Sequence, residues 1–296
     1  MRSRGGMRVL AALCAVAAVS PLAACGTSVQ VTVPGQADGP MVDIGVAVDE
    51  PGVSWYHEEG YSGLSVDVAK YVAEKIGYSN RQIVFHAMTA ATRDAMLADG
   101  TIDFAMTSYA YEGGKDARAF TKQLASRGGD VRYSGPYLIA EDGLLVRNDE
   151  RAAIRGAGDV RGRSVCVVAH DGVREQLAAH IDGVRFREED DFSRCVSALL
   201  AGEADAVAGA RPVLAGLRAQ AGAEYVSLVD ASFGERGYGI AIAGGDELLA
   251  QMNTTLQGMI DDGSWDRIVD EAGRALGVDA DLRLNPPDIV DSRYEE

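Results

Sequence analysis

Val42-Asp43-Ile44-Gly45-Val46-Ala47-Val48, Asp49-Glu50-Pro51-Gly52 and Gly63-Leu64-Ser65-Val66-Asp67-Val68-Ala69 form the stretch on which the reading of this chain turns. Apolar residues at alternate positions predict a strand over the first segment, because successive side chains of an extended chain point to opposite faces. The acid-acid-Pro-Gly tetrad is turn chemistry and closes that strand. In the third segment Leu64, Val66 and Val68 keep strand spacing, while Ala69, Val72, Ala73 and Ile76 fall at helical spacing and Gly77 supplies a stop. The expected order is strand, loop, helix.

Toward the C-terminus the same alternation recurs. A strand over 82–85, a helix over 90–97 stopped by Asp99-Gly100, and a short buried strand over 102–106 complete one cycle. A second cycle is predicted from a strand over 164–169, helices over 173–180 and 194–200, and a strand over 205–208. Such βαβ alternation predicts an α/β layered sheet, here in two similar lobes. Amphipathic helices over 246–261 and 265–275 follow, the latter placing Trp265 in the core, and a Pro286-Pro287 tail is expected to lie loosely.

Toward the N-terminus, Arg2, Arg4 and Arg8 precede an apolar run over 9–19, the charged and hydrophobic regions of a secretory signal. The run is shorter than the roughly 20 residues that cross a bilayer as a helix. It ends in Leu22-Ala23-Ala24-Cys25-Gly26, which resembles the lipobox of bacterial lipoproteins and marks the Cys25 thiol for lipidation. Residues 1–25 are therefore read as a removable leader. Residues 26–41, without periodicity, are read as a tether from the outer face of the cytoplasmic membrane.

The 296 residues are 47% hydrophobic, enough for a sizeable core in one or two domains. The net charge of -16 falls to -19 once the three leader arginines are removed, which argues against a nucleic-acid partner. Cys14 and Cys25 belong to the leader and lipid site, leaving Cys166 and Cys195; in an exported protein that count favours one disulfide over two buried thiols. No His-Glu-x-x-His, Gly-Lys-Thr phosphate loop or Gly-x-Ser-x-Gly motif is present, and the four histidines are scattered, so neither a metal, a cofactor nor an enzyme is expected.

The opening stretch, followed in order by Gly135-Pro136-Tyr137, Gly162-Arg163-Ser164-Val165-Cys166, Cys195-Val196-Ser197-Ala198-Leu199-Leu200, Tyr238-Gly239-Ile240-Ala241 and Met259-Ile260-Asp261-Asp262-Gly263-Ser264-Trp265, resembles the family 3 extracellular solute-binding proteins of ABC importers. The likeness is strongest to their glutamate-binding lipoproteins, and Ser65 departs from that family's usual acid. The resemblance implies a two-lobed periplasmic-binding-protein-like α/β fold with a discontinuous first lobe and an interlobe cleft. Lobe 1 would comprise 42–145 and 235–280, lobe 2 146–234, and 281–296 a tail. It also implies a Cys166 to Cys195 disulfide, capture of a solute by lobe closure, a monomer, and delivery to an ABC permease and its ATPase.

An amino-acid-like solute needs a cation with hydroxyl or amide donors for its carboxylate and an acid for its ammonium. The resemblance directs attention to Ser108, Tyr109 and Ala110, and to a clamp at Lys115 or Arg127, of which only arginine offers a two-pronged fork. Glu50 and Trp55 belong to the first-lobe wall. The second-lobe loop, usually rich in hydroxyls, reads His170-Asp171-Gly172, and the position of the usual ammonium acceptor reads Ala210-Arg211. Asp171 or Glu112 would have to replace that acceptor, whereas Arg211 would favour an anionic group. The expected solute is thus small and polar, amino-acid-like or anionic. The competing readings are a sensor or scaffold on the same fold, and an enzyme such as a hydrolase or dehydratase using the cleft.

Overall fold

The computed structural model describes residues 39–58, 60–111, 130–230 and 232–289, which belong to one compact unit. The leader, the lipobox cysteine, most of the tether, Glu112, Lys115 and Arg127 lie outside them. Strand β1 (Val42–Val46) buries Val42, Ile44 and Val46 completely, as their alternation requires. It lies between β5 (Ile83–Ala87) and β6 (Phe104–Tyr111), parallel to both. The segment read as a loop after β1 instead folds into a small antiparallel sheet of β2 (Asp49–Glu50), β3 (Ser54–His57) and β4 (Gly60–Ser62).

Helix α1 (Leu64–Lys75) begins directly at Leu64, so the residues with strand spacing are its first turns. Its buried stripe is wide, from Leu64 and Val66 through Val68 and Ala69 to Val72 and Ala73, which blurs the helical period in the sequence. Gly63 makes the entry possible. Its φ is +117°, and a Cβ there would lie 2.5 Å from the carbonyl oxygen of Val53.

The second half repeats the first. Strand β8 (Ser164–Val168) lies between β9 (Arg185–Glu189) and β10 (Ala206–Ala210), parallel to both, so the order β5-β1-β6 recurs as β9-β8-β10. Both halves close with one clasp. Asp103 accepts from the Asp43 amide at 2.8 Å and returns its own amide to the Asp43 carbonyl at 2.7 Å. Asp205 does the same for Ser164, at 2.7 Å in each direction. Helix α2 (Arg93–Ala98) precedes β6; α3 (Val173–His180) and α4 (Phe192–Leu200) connect the second-half strands.

Two strands that alternation does not single out join the halves. Strand β7 (Arg132–Arg147) is covered on both faces, and its buried residues run almost without a break, the pattern of an interior strand. It pairs antiparallel with β12 (Gly234–Ile242), then with β10 and β11 (Val226–Leu228). The handover falls at Asp142, which is paired with Gly234 on one side and Ala210 on the other. One sheet of nine strands therefore runs through both halves.

Helix α5 (Arg211–Ala221) packs behind β7, and α6 (Asp246–Asp261) and α7 (Ser264–Leu276) return to cover α1, which makes the first half discontinuous in sequence. Trp265 is buried and its indole N–H donates to the Tyr137 carbonyl at 2.7 Å. The tail is not loose as far as residue 289. The buried side chain of Asn285 accepts from the Ile139 amide at 2.9 Å and donates to the Ile139 carbonyl at 2.7 Å, behaving as one more strand residue beside β7.

Cys166 on β8 and Cys195 on α4 are joined with a sequence separation of 29. Cross-linking a loop of that size restricts the unfolded chain by about 3 to 4 kcal/mol in the chain-entropy description. Reduction is expected to lower the unfolding free energy by that order in denaturant titration, and peptide mapping without reductant should recover the two cysteines as one linked fragment. Two free thiols in that map would remove the disulfide.

Candidate ligand-binding site

A cleft of roughly 630 Å³ opens where the ends of β1 and β6 face the ends of β8 and the start of α4. Location follows from topology: ligand crevices in open α/β sheets lie beyond the carboxyl ends of the strands, where loops rather than ladders present side chains. The first half supplies Asp49, Glu50, Ser65 and Ser108; the second supplies His170, Asp171, Asp191 and Phe192.

Arg236, on β12, is the junction of the two halves. Its side chain is only 1% exposed, and it grips the fully buried Asp142 with two prongs, Nε to Oδ1 at 2.9 Å and Nη2 to Oδ2 at 3.1 Å. The third nitrogen, Nη1, reaches the second half, donating to Asp171 Oδ1 at 2.8 Å and to the Asp171 carbonyl at 3.2 Å, while Ser108 Oγ accepts from it at 3.3 Å. Burial works against the guanidinium charge, but the carboxylates of Asp142 and Asp171 outweigh it and raise its pKa further above the ordinary value.

A second bridge joins β2 to α4. Asp49 Oδ2 accepts from the Phe192 amide at 2.8 Å, while Asp191 caps the same helix by accepting from the Arg194 amide at 2.8 Å. Two carboxylates, one from each half, thus sit on the positive end of one helix dipole. Nearby, β2 and α5 touch so closely that a Cβ on Gly216 would lie 1.8 Å from the Pro51 carbonyl oxygen.

The described cleft is strongly acidic. Burial raises Asp171 despite the pull of Arg236, and burial raises Asp49 despite its bond from the Phe192 amide. Glu50 is displaced most among these acids: burial, then the charges of Asp49 and Asp171, push it up to about 8, only partly opposed by Arg236. Its carboxyl group has no hydrogen bond or ion pair to any other described residue.

Residues 42–274 match the sequence profile of the bacterial extracellular solute-binding proteins, family 3. The chain belongs to that family. Among curated relatives, this solute-binding protein is 29% identical over 252 residues to the glutamate-binding protein GluB of Corynebacterium efficiens, covering 81% of this chain and 80% of the relative. It is 26% identical to the ABC transporter glutamine-binding protein GlnH of Bacillus subtilis, covering 70% of each. Among solved structures it is similar to an ancestral arginine-binding protein bound to glutamine, at 27% identity and a TM-score of 0.65, with 79% of this chain and 98% of the other covered. The architecture is accordingly the two-lobed one with an interlobe cleft.

The sequence-derived candidates separate clearly in the solute-binding protein. Glu50, Ser108, His170 and Asp171 line the cleft together. Gly172 caps α3 with φ +84°, and a Cβ there would come within 3.8 Å of Ala110. Trp55 stacks on His57 with ring centres 4.3 Å apart, away from the cleft lining. Tyr109 points to the opposite face of β6 from Ser108, edge-on to Tyr133 and beneath the Arg93 guanidinium at 4.8 Å. Arg211 is not brought to the cleft: it starts α5 and donates to the Val229 carbonyl at 3.0 Å, which removes the argument it offered for an anionic solute. Lys115 and Arg127 lie outside the described residues.

Asp49, Asp142 and Arg236 were missed. The signal for Asp142 was present: two acids, Glu141 and Asp142, interrupt the apolar run Tyr137 to Leu145, and whichever is buried needs a cation to be tolerated. Which cation is a matter of β7 and β12 pairing, which brings Arg236 alongside.

Arg236→Met should destabilise the protein by about 3 to 5 kcal/mol in urea unfolding, because Asp142 is left buried and unpaired; a loss below about 1 kcal/mol would deny the pair its structural role. Glu50 gives a pH test. Since its folded pKa lies above the ordinary carboxyl value of 4.5, the native state holds the extra proton between about 4.5 and 8, so stability from this group falls as pH rises through that window. Glu50→Gln removes the slope. The variant should gain on the wild type from pH 5 to pH 8, at up to about 1.4 kcal/mol per pH unit, and parallel curves would contradict the assignment.

Proposed function

We propose that this protein is an exported receptor, anchored by lipid on Cys25 to the outer face of the cytoplasmic membrane, that captures a small polar, amino-acid-like solute and passes it to an ABC permease with its ATPase. The observation that carries this reading is the cleft itself: side chains from both halves face one cavity of roughly 630 Å³, the size suited to a small solute. The bridges from Arg236 to Asp171 and from Asp49 to the Phe192 amide join the two halves across the cleft, which fits capture by closure. The names of the relatives support an amino-acid-like solute, since glutamate, glutamine and arginine binding are ascribed to them.

The lobe limits that suit this reading are 42–145 with 235–280 for the first and 146–234 for the second, with the handover at Asp142 and Gly234 close to both limits. Residues 1–25 act as the leader and 26–41 as the tether. The protein works as a monomer, since delivery needs one cleft and one membrane anchor.

One observation favours an enzyme as the second reading: Glu50 and Asp171 are carboxyl groups of raised pKa in one cleft, the kind of pair that carries acid and base chemistry. Thermal-shift screening of the purified lipoprotein against amino acids, dicarboxylates, amines and short peptides, with the supernatants then analysed by mass spectrometry, decides between them. Stabilisation by several degrees without product is the expected outcome. Product formation would establish the enzyme, and no stabilisation by any compound would favour a scaffold. Mass spectrometry of the mature N-terminus should show an acylated Cys25, and Cys25→Ser should release the protein from the membrane.

A further inference from the structure

Gly216 stands inside helix α5, with Val213, Leu214, Ala215 and Leu217 buried around it. Glycine is the poorest helix former after proline, because it gives up the most backbone freedom, so its place in a buried helix interior needs a reason. The reason lies on the other half of the molecule. A Cβ at Gly216 would lie 1.8 Å from the Pro51 carbonyl oxygen and 2.6 Å from the carbonyl carbon, both backbone atoms that no change of rotamer moves.

That oxygen is presented on a firm support. Glu50-Pro51-Gly52-Val53 is a reverse turn closed by the Val53 amide on the Glu50 carbonyl at 3.0 Å, with proline second and a glycine of φ +81° third, the chemistry of a type II turn. Gly52 is itself pressed onto the first half. A Cβ there would lie 2.2 Å from Leu276 of α7, and the Gly52 carbonyl accepts from the Leu64 amide at the start of α1 at 3.1 Å. The turn is thus backed by α7 and faces α5. Next to it in the chain, Asp49 meets the Phe192 amide of α4 at 2.8 Å. The segment 49–52 therefore touches the second half twice, and it also carries two residues of the cleft wall, Asp49 and Glu50.

We propose that Gly216 is a positioning residue for solute capture: its bare backbone is the seat on which the Pro51 carbonyl rests when the halves close, and it sets solute affinity without touching the solute. The inference rests on the solute-receptor reading. Carbon stays about 3.3 Å from a carbonyl oxygen even in weak Cα–H contacts, so a side chain at Gly216 would part the two backbones by roughly 1.5 Å. The obstacle stands between the halves and not within either, so it raises the energy of the closed arrangement alone. Apparent affinity then falls by the fraction of molecules that still close. Alanine at this position meanwhile favours the helix itself. Capture and stability are thereby driven in opposite directions. Crowding of an ordinary packing contact instead lowers the stability of the whole, with or without solute.

Isothermal titration of the full lipoprotein in detergent, with L-glutamate, L-glutamine and L-arginine as probes, reads the affinity, and thermal unfolding without a probe reads the stability. Gly216→Ala should weaken binding of whichever probe the wild type takes by about tenfold or more, while the unliganded midpoint stays level or rises. Ala219→Gly, at an exposed position of the same helix, is the control: it should lower the midpoint and leave the affinity unchanged. Spin labels on Glu74→Cys in α1 and Glu175→Cys in α3, exposed residues of the two halves, report the gap between them. A bound probe should shorten that distance when residue 216 is glycine, and shorten it less in Gly216→Ala. Unchanged affinity in Gly216→Ala, or an unliganded midpoint lowered to the point of misfolding or short of it, would make the contact ordinary packing and overturn the proposal. So would a label distance that a bound probe leaves unchanged in the protein with Gly216, a measurement that needs no substitution at the seat. Should none of the three probes bind, the expectation of an amino-acid solute is lost and the labels alone decide: a longer distance in Gly216→Ala supports the seat, and an equal one overturns it.

Discussion

A single guanidinium holds this protein's two halves in register. Arg236 and Asp142 meet where β7 passes from β12 to β10, at the point the chain changes lobes, and neither is accessible to water. A buried pair of that kind contributes little net stability relative to an apolar pair, but it is demanding in geometry, because removing either member strands the other. That demand fixes the strand register at the crossing. The third nitrogen of the same side chain then carries the crossing's rigidity to Asp171, so the arrangement of the hinge and that of the cleft floor are one constraint.

Around that junction the molecule is built twice. Each half places a central parallel strand between two others and clasps its start with an aspartate, Asp103 in one and Asp205 in the other. The clasps secure the outer ends of β1 and β8, so the opposite ends, where the loops lie, face one another as the two walls of the cavity. Two contacts between the halves are sterically specific. Asp49 meets the first amide of α4, and Gly216 admits the Pro51 carbonyl where any side chain would collide.

The described walls of the cleft are rich in acids. Relatives named for glutamate share the family and most of the chain's length; among the described residues the walls present Asp49, Glu50, Asp171 and Asp191, and Arg236 beside them is already bound by carboxylates. Membership of a family of solute-binding proteins fixes the scaffold and the mode of capture. The solute's charge is set by a handful of side chains that change freely on that scaffold.

The sequence by itself determined the elements whose periodicity is strong: β1 and β8 with one apolar face or a short apolar run, α3, α6 and α7 with clear helical stripes, and the alternation that makes an α/β sheet. The ordered motifs carried the two-lobed architecture and brought Glu50, Ser108, His170 and Asp171 forward as residues of one site. Tertiary structure decided what periodicity cannot express. Strand β7 is apolar on both faces, so its length and its role as the crossing were hidden, and α1 is buried over so wide a stripe that its start read as a strand. The partnership of Arg236 with Asp142 and Asp171 spans 94 and 65 residues. Arg211, equally basic in the sequence, was turned away by the direction of its helix. A charge in a sequence has a sign but no neighbours, and only folding supplies the neighbours that determine whether it binds, braces or faces away.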